Sequence, residues 1–326
     1  MIQPFLSKII DYAGLFPPAG LPLDQVVVNY SAYQKSEFNW MLSKMIIPVD
    51  KIRDLKHYRG SQITKELPFR VSVLGSKEET VEEFQLGTDR LLGELEWALD
   101  ELKGYITTDA FETKLPSEAV ESNDQDLLVE LLNETATRFE QVENAPSVLF
   151  YEAGLTQNPG KQMELITSSL AEHNRLLAEE NFEQTQRAGF KFRCGGTSAG
   201  EFPSVELLSS AICYAREALV PVKFTAGLHH PLRHYNESVK TKMHGFLNVF
   251  GAGLLAYAYD LNKPEIEQIL LDEDPASFGF EDDGFRYDDM IISAEEIRDL
   301  RESAFLSFGS CSFDDPVEDL KTLGIL

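Results

Sequence analysis

The sequence predicts an α/β protein, a (β/α)8 TIM barrel: one barrel domain over residues 1–326, with residues 1–40 as an N-terminal extension packed on it. Two observations carry the prediction. Eight strand-like runs alternate with helix-like runs, the order that builds a parallel sheet covered by helices. No glycine fingerprint follows the first strand, so an open, doubly wound sheet is the weaker alternative. The sequence shows no linker, internal repeat or low-complexity tract, which keeps the chain in one domain.

In chain order, Ile9–Gly20 holds two glycines and two prolines, which preclude a long helix, yet it is too apolar for a free tail. It is expected to pack across one end of the fold. Asp11 within it is placed either to reach a site there or to cap a turn. Leu23–Lys35 is helix-like, Met41–Val49 the first strand and Phe69–Leu74 the second, bounded by Pro68 and Gly75. Val81, Phe84, Leu91, Leu95, Ala98 and Leu102 recur near helical spacing among acidic residues, which predicts a long surface helix. The third strand falls between Gly104 and Leu115, where Ile106, Thr107 and Thr108 are β-branched. Leu128, Leu131, Leu132 and Thr135 mark a further amphipathic helix, Ser147–Glu152 the fourth strand and Pro159–Glu180 another helix.

The fifth strand begins at Phe190, and Pro203 opens the helix that precedes the sixth strand at Val222. A helix is predicted from Glu237 to Ala258, with Gly245, Gly251 and Gly253 marking close packing or a break. Pro264–Leu271 is helical, Phe278–Phe280 is a weak seventh strand, and the acidic run Asp272–Asp289 is a solvated loop. Ser293–Ser303 is a helix with Glu295 and Glu296 in its first turn, where carboxylates suit the dipole. Ala304–Phe308 is the eighth strand, followed by a short helix from Pro316.

Composition limits the partners. A formal charge of −25 argues against nucleic-acid or anionic-membrane surfaces, both of which select basic proteins. The acidity is uneven: Arg187–His244 holds eight Lys and Arg against four Asp and Glu, and four of the six histidines. That window fits a small anionic substrate. Cys194, Cys213 and Cys311 have neither metal-type spacing nor the even count of a disulfide framework, so a reducing cytoplasm is the expected compartment. Residues 1–14 lack a signal-peptide pattern and no run reaches about 18 apolar residues, so a soluble chain without processing is expected. A homo-oligomer is compatible with all of this.

The candidate site lies on two strands of one design. In Phe190–Gly196 the alternation places Lys191 and Arg193 on one face, and in Pro221–Pro231 it places Lys223 and Thr225 on one face. A lysine aimed into a barrel must be compensated, because an isolated buried ammonium is costly. Catalytic groups of such barrels stand at the C-terminal ends of the strands. That rule gathers Glu152, Lys191, Lys223 and His229 as catalytic candidates. Arg193, Gly195, Gly196, His230, Arg233, Ser310, Ser312 and Asp11 are the substrate-binding candidates. An amine nucleophile, a second cation, a carboxylate and an imidazole are the parts of a Schiff-base enzyme that needs no cofactor.

Lys191 and Lys223, each with a glycine four residues on and separated by 32 positions, resemble the paired-lysine strands of deoxyribose-phosphate aldolase and related class I aldolases. Phe308-Gly309-Ser310-Cys311-Ser312 is similar to the phosphate-binding turn of such barrels. The resemblance implies an imine on the first lysine, Lys191, with Lys223 tuning it. The strand count instead places Lys223 on strand six, where many class I aldolases carry their lysine, so both stay open as nucleophile. Asp11–Pro18 and Met243–Asn248 resemble motifs of a bacterial family of uncharacterised activity.

Two other readings compete. The first is a metal-dependent hydrolase or isomerase of a sugar-like substrate, with His229, His230 and Glu152 or Asp11 as ligands. Adjacent side chains on an extended segment point in opposite directions, which weighs against both histidines binding one ion. The second is a barrel that binds a small anion without chemistry, its lysines paired with nearby acids.

Overall fold

The structure is a computed structural model and describes residues 2–75, 77–156, 158–179, 187–281 and 284–326. The eight barrel strands are β1 (Ile10–Tyr12), β2 (Leu42–Pro48), β3 (Phe69–Leu74), β4 (Ile106–Lys114), β5 (Val148–Glu152), β6 (Arg187–Arg193), β7 (Val222–Thr225) and β8 (Phe305–Ser310). They close a barrel in the order β1-β8-β7-β6-β5-β4-β3-β2, with parallel pairing and helices in the connections, the architecture that the sequence predicts.

Two strand assignments differ from the sequence reading. Ile10–Tyr12 is the first barrel strand, paired with Phe308–Ser310 of β8, although three residues are too few to show a periodicity. Phe278–Phe280 is outside the barrel. It forms an antiparallel sheet with Gly284–Tyr287 and Met290–Ser293, and its aromatic residues pack on one another and on Phe5. The count therefore shifts by one, and Lys191 stands on strand six and Lys223 on strand seven.

One further difference concerns the helix expected from Glu237. Asn236 accepts from the backbone N–H and the hydroxyl of Ser238, which fixes a turn, and His234–Asn236 pairs with Thr241–Met243 as a hairpin. The helix starts at Phe246. Its Gly251 and Gly253 are sites of close packing, as expected: a Cβ there would lie 2.8 Å from the Phe285 ring and 2.4 Å from the Phe305 ring. Glu180 at the end of the predicted Pro159 helix, and Asp282 and Asp283 of the acidic run, lie outside the described residues.

The chain divides into two compact units: residues 1–22, 35–43 and 192–326, and residues 23–34 and 44–191. In the second, helix Val81–Glu101 opens on a capping box between Thr80 and Glu83, and Phe111 of β4 packs on Phe139 at 4.8 Å. The registers Lys114↔Glu152 and Glu152↔Lys191 set these three residues at one level of β4, β5 and β6. In the first unit, buried Phe224, Phe250, Phe305 and Phe308 form an aromatic core. Arg301, also buried, donates to the carbonyls of Phe5, Ser7, Phe305 and Leu306, tying the N-terminal residues to β8. Burial lowers its guanidinium to about 9. Among the described residues no helix is long and apolar enough to cross a membrane.

Candidate active site

In the second unit the site is built around Lys191. Its side chain is 6% exposed, and its Nζ lies 2.9 Å from Glu152 Oε2 and 3.1 Å from Glu112 Oε2. Glu112 is fully buried on β4, and its other oxygen accepts from Ser72 Oγ of β3 at 2.6 Å. One ammonium thus faces two carboxylates at the C-terminal ends of adjacent strands. Both carboxylates lie within proton-transfer reach of the amine. Lys191 and Glu152 were expected together and are together.

Glu112 and Ser72 escaped the sequence reading. The sequence bounds the third strand only between Gly104 and Leu115, and a glutamate near such an edge reads as solvated. Its usable signal is position: with β4 ending at Lys114, Glu112 lies two residues back on the same face.

The first unit holds a second buried pair. Lys223 Nζ donates to Asp11 Oδ2, and Ser307 Oγ donates to the same oxygen at 2.6 Å. Lys223 is 1% and Asp11 0% exposed. Asp11 is thus buried in β1 and paired with an interior lysine instead of capping a turn, and Ser307 had carried no signal of its own.

The other candidates of this unit meet local partners. Ser310 Oγ accepts from the Ser312 N–H at 3.3 Å and lies 3.2 Å from His229 Nδ1, while Ser312 Oγ accepts from the Asp315 N–H. Burial, then the neighbouring His230, lowers the His229 imidazole below its ordinary range. His230 turns instead to Asp319 Oδ2 at 2.5 Å, so the adjacent rings address different partners, as the extended geometry requires. Among the described residues no group of three or more His, Cys, Asp or Glu side chains is arranged to hold a metal.

Arg193 is exposed and donates to the Gly195 carbonyl at 3.4 Å. Gly195 lets the chain approach Gly227, since a Cβ on it would lie 2.9 Å from the Gly227 Cα. At Gly196 the turn is filled by Glu201, which accepts from the N–H groups of Thr197 and Ser198. The Ser198 hydroxyl, which also donates to this carboxylate, and then the two N–H groups hold it below the usual range. Burial pushes the Cys194, Cys213 and Cys311 thiols up.

Arg233 is anchored by His244. Arg233 is a donor only, so its Nη1–H donates to His244 Nδ1 at 3.3 Å, and His244 Nε2–H donates to the Pro203 carbonyl at 2.8 Å. The imidazole is neutral in this arrangement, and burial lowers it to about 4. Between its ordinary value near 6.5 and about 4, the unfolded chain takes up a proton that the folded chain refuses. Stability is therefore lost as pH falls across that window, by on the order of 3 kcal/mol from this residue. His244→Asn is expected to lose less stability than the native chain between pH 7 and 4, read by urea midpoints; parallel curves would show that His244 is not the cause.

Among solved structures, one described as QR15, an aldolase, is similar to this chain, with 17% sequence identity over 68% of this chain and 80% of that one and a TM-score of 0.42. No protein-family model and no curated protein matches the sequence.

Proposed function

We propose that the protein is a lyase of the class I aldolase kind, acting on a small anionic carbonyl compound through a Schiff base on Lys191. The observation that carries this reading is the Lys191 amine, buried on barrel strand six between Glu112 and Glu152. Lys223 has its own carboxylate in Asp11 and stands on strand seven.

The chemistry balances with these groups. Glu152, the more accessible acid, takes a proton from the ammonium, and the freed amine attacks the carbonyl carbon. The carbon–nitrogen bond forms as the carbonyl electron pair moves to oxygen, which receives a proton from the nitrogen. Protonated Glu152 then gives its proton to that hydroxyl, which leaves as water. The product is an iminium cation and the carboxylate is restored. The two acids that compensate the ammonium compensate the iminium equally, and the cation draws in the electron pair of the carbon–carbon bond that breaks.

The test is borohydride reduction of the protein with pyruvate, acetaldehyde and glyceraldehyde 3-phosphate in turn, read by intact mass and peptide mapping. An adduct on the peptide containing Lys191 is expected. An adduct on Lys223 would move the nucleophile to β7, and none on either lysine with any of the three would overturn the reading.

A further inference from the structure

We infer that Lys114, at the C-terminal end of β4, determines substrate class by binding the carboxylate of a short 2-oxo acid whose carbonyl carbon is held at Lys191. The inference rests on the Schiff-base reading and concerns a residue to which the sequence drew no attention. Glu112 and Lys114 are two residues apart on β4, so their side chains leave the same face. Glu112 reaches the Lys191 amine, and Lys114 therefore stands on the face that carries the reaction, one layer nearer the strand ends. The registers Lys114↔Glu152 and Glu152↔Lys191 put it level with the nucleophile, two strands away.

The reach matches a small molecule. Neighbouring strands lie about 4.8 Å apart, so the two lysine backbones are roughly 10 Å apart and their long side chains can meet the two ends of one short substrate. In a 2-oxo acid the carboxylate is bonded directly to the carbonyl carbon, which suits that separation.

Lys114 is also a cation in need of an anion. It is half-buried, yet among the described residues its side chain makes no ion pair or hydrogen bond, while the acid beside it in register, Glu152, is turned to Lys191. Its Nζ rests over Gly154, 3.5 Å from where a Cβ would stand, so its head is at the end of β5. A partly desolvated ammonium without a counter-ion is a standing cost that a bound carboxylate relieves. A compact point charge suits one carboxylate oxygen, without the planar geometry an arginine would impose.

Two measurements test it. In borohydride trapping, the native protein is expected to capture pyruvate in preference to acetaldehyde; Lys114→Met should lower that preference by about tenfold or more and Lys114→Arg should keep most of it. An unchanged preference in Lys114→Met overturns the inference. Calorimetric titration with oxamate, a carboxylate that forms no imine, is independent of the Schiff base. Binding that weakens about tenfold in Lys114→Met supports the inference even where no adduct is trapped on Lys191, which would then sink the Schiff-base reading alone. Equal oxamate affinity in both proteins, no binding to either, or displacement of oxamate by inorganic phosphate at similar concentration would each overturn the carboxylate assignment.

Discussion

Lys191→Met is expected to abolish the borohydride-trapped adduct and to lower turnover of a productive carbonyl substrate by on the order of 10⁴-fold, the scale at which loss of a covalent nucleophile is felt. Binding contacts elsewhere would survive, so KM should move far less than kcat. The substitution also leaves Glu112 and Glu152 without the ammonium between them. Two neighbouring carboxylates that lose a shared ammonium favour taking up a proton, and the fold loses stability by the cost of that rearrangement.

Lys191→Arg separates these effects. The guanidinium keeps a positive charge between the acids but cannot form an imine, so this variant should fold and melt close to the native protein and remain inactive. Activity of Lys191→Arg or Lys191→Met above about a tenth of native would remove Lys191 from the chemistry. Glu152→Gln is expected to be milder, on the order of 10²-fold, because water or Glu112 can still accept the proton.

The parts of this site legible in the sequence are those written in local periodicity. Alternation along Phe190–Arg193 and Val222–Thr225 places Lys191 and Lys223 inward, and both are buried. The ends of β5 and β6 could be read from Gly154 and Gly195, so Glu152 and Lys191 were placed near one another. What escaped depends on distance in sequence. Asp11 and Lys223 are 212 residues apart, and only closure of the barrel brings β1 beside β8 and its Ser307. β1 itself spans three residues, too short for a periodic signal, and its omission moved the numbers of β2 to β7 by one. His230 and Arg233 read as substrate contacts because they lie on the segment that follows a strand end. Their partners Asp319 and His244 come from later segments whose positions no local pattern reveals.

Breaking the Asp11–Lys223 pair should give the largest loss of stability of any single change at the first unit's buried core. Asp11→Ala takes the carboxylate from an ammonium that is 1% exposed, and Lys223→Met takes the ammonium from a carboxylate that is 0% exposed and still accepts from the Ser307 hydroxyl. Removing one member of such a buried pair typically costs about 3–5 kcal/mol, because the remaining charge is uncompensated. The double variant Asp11→Ala/Lys223→Met removes both charges. It should recover more than half of either single loss, the remainder reflecting the cavity at Asp11 and the lost Ser307 contact. Urea unfolding of the four proteins at pH 7 measures the coupling directly. Single losses below about 1 kcal/mol, or a double variant whose loss is the sum of the two, would show that the pair does not hold β1 to its neighbours.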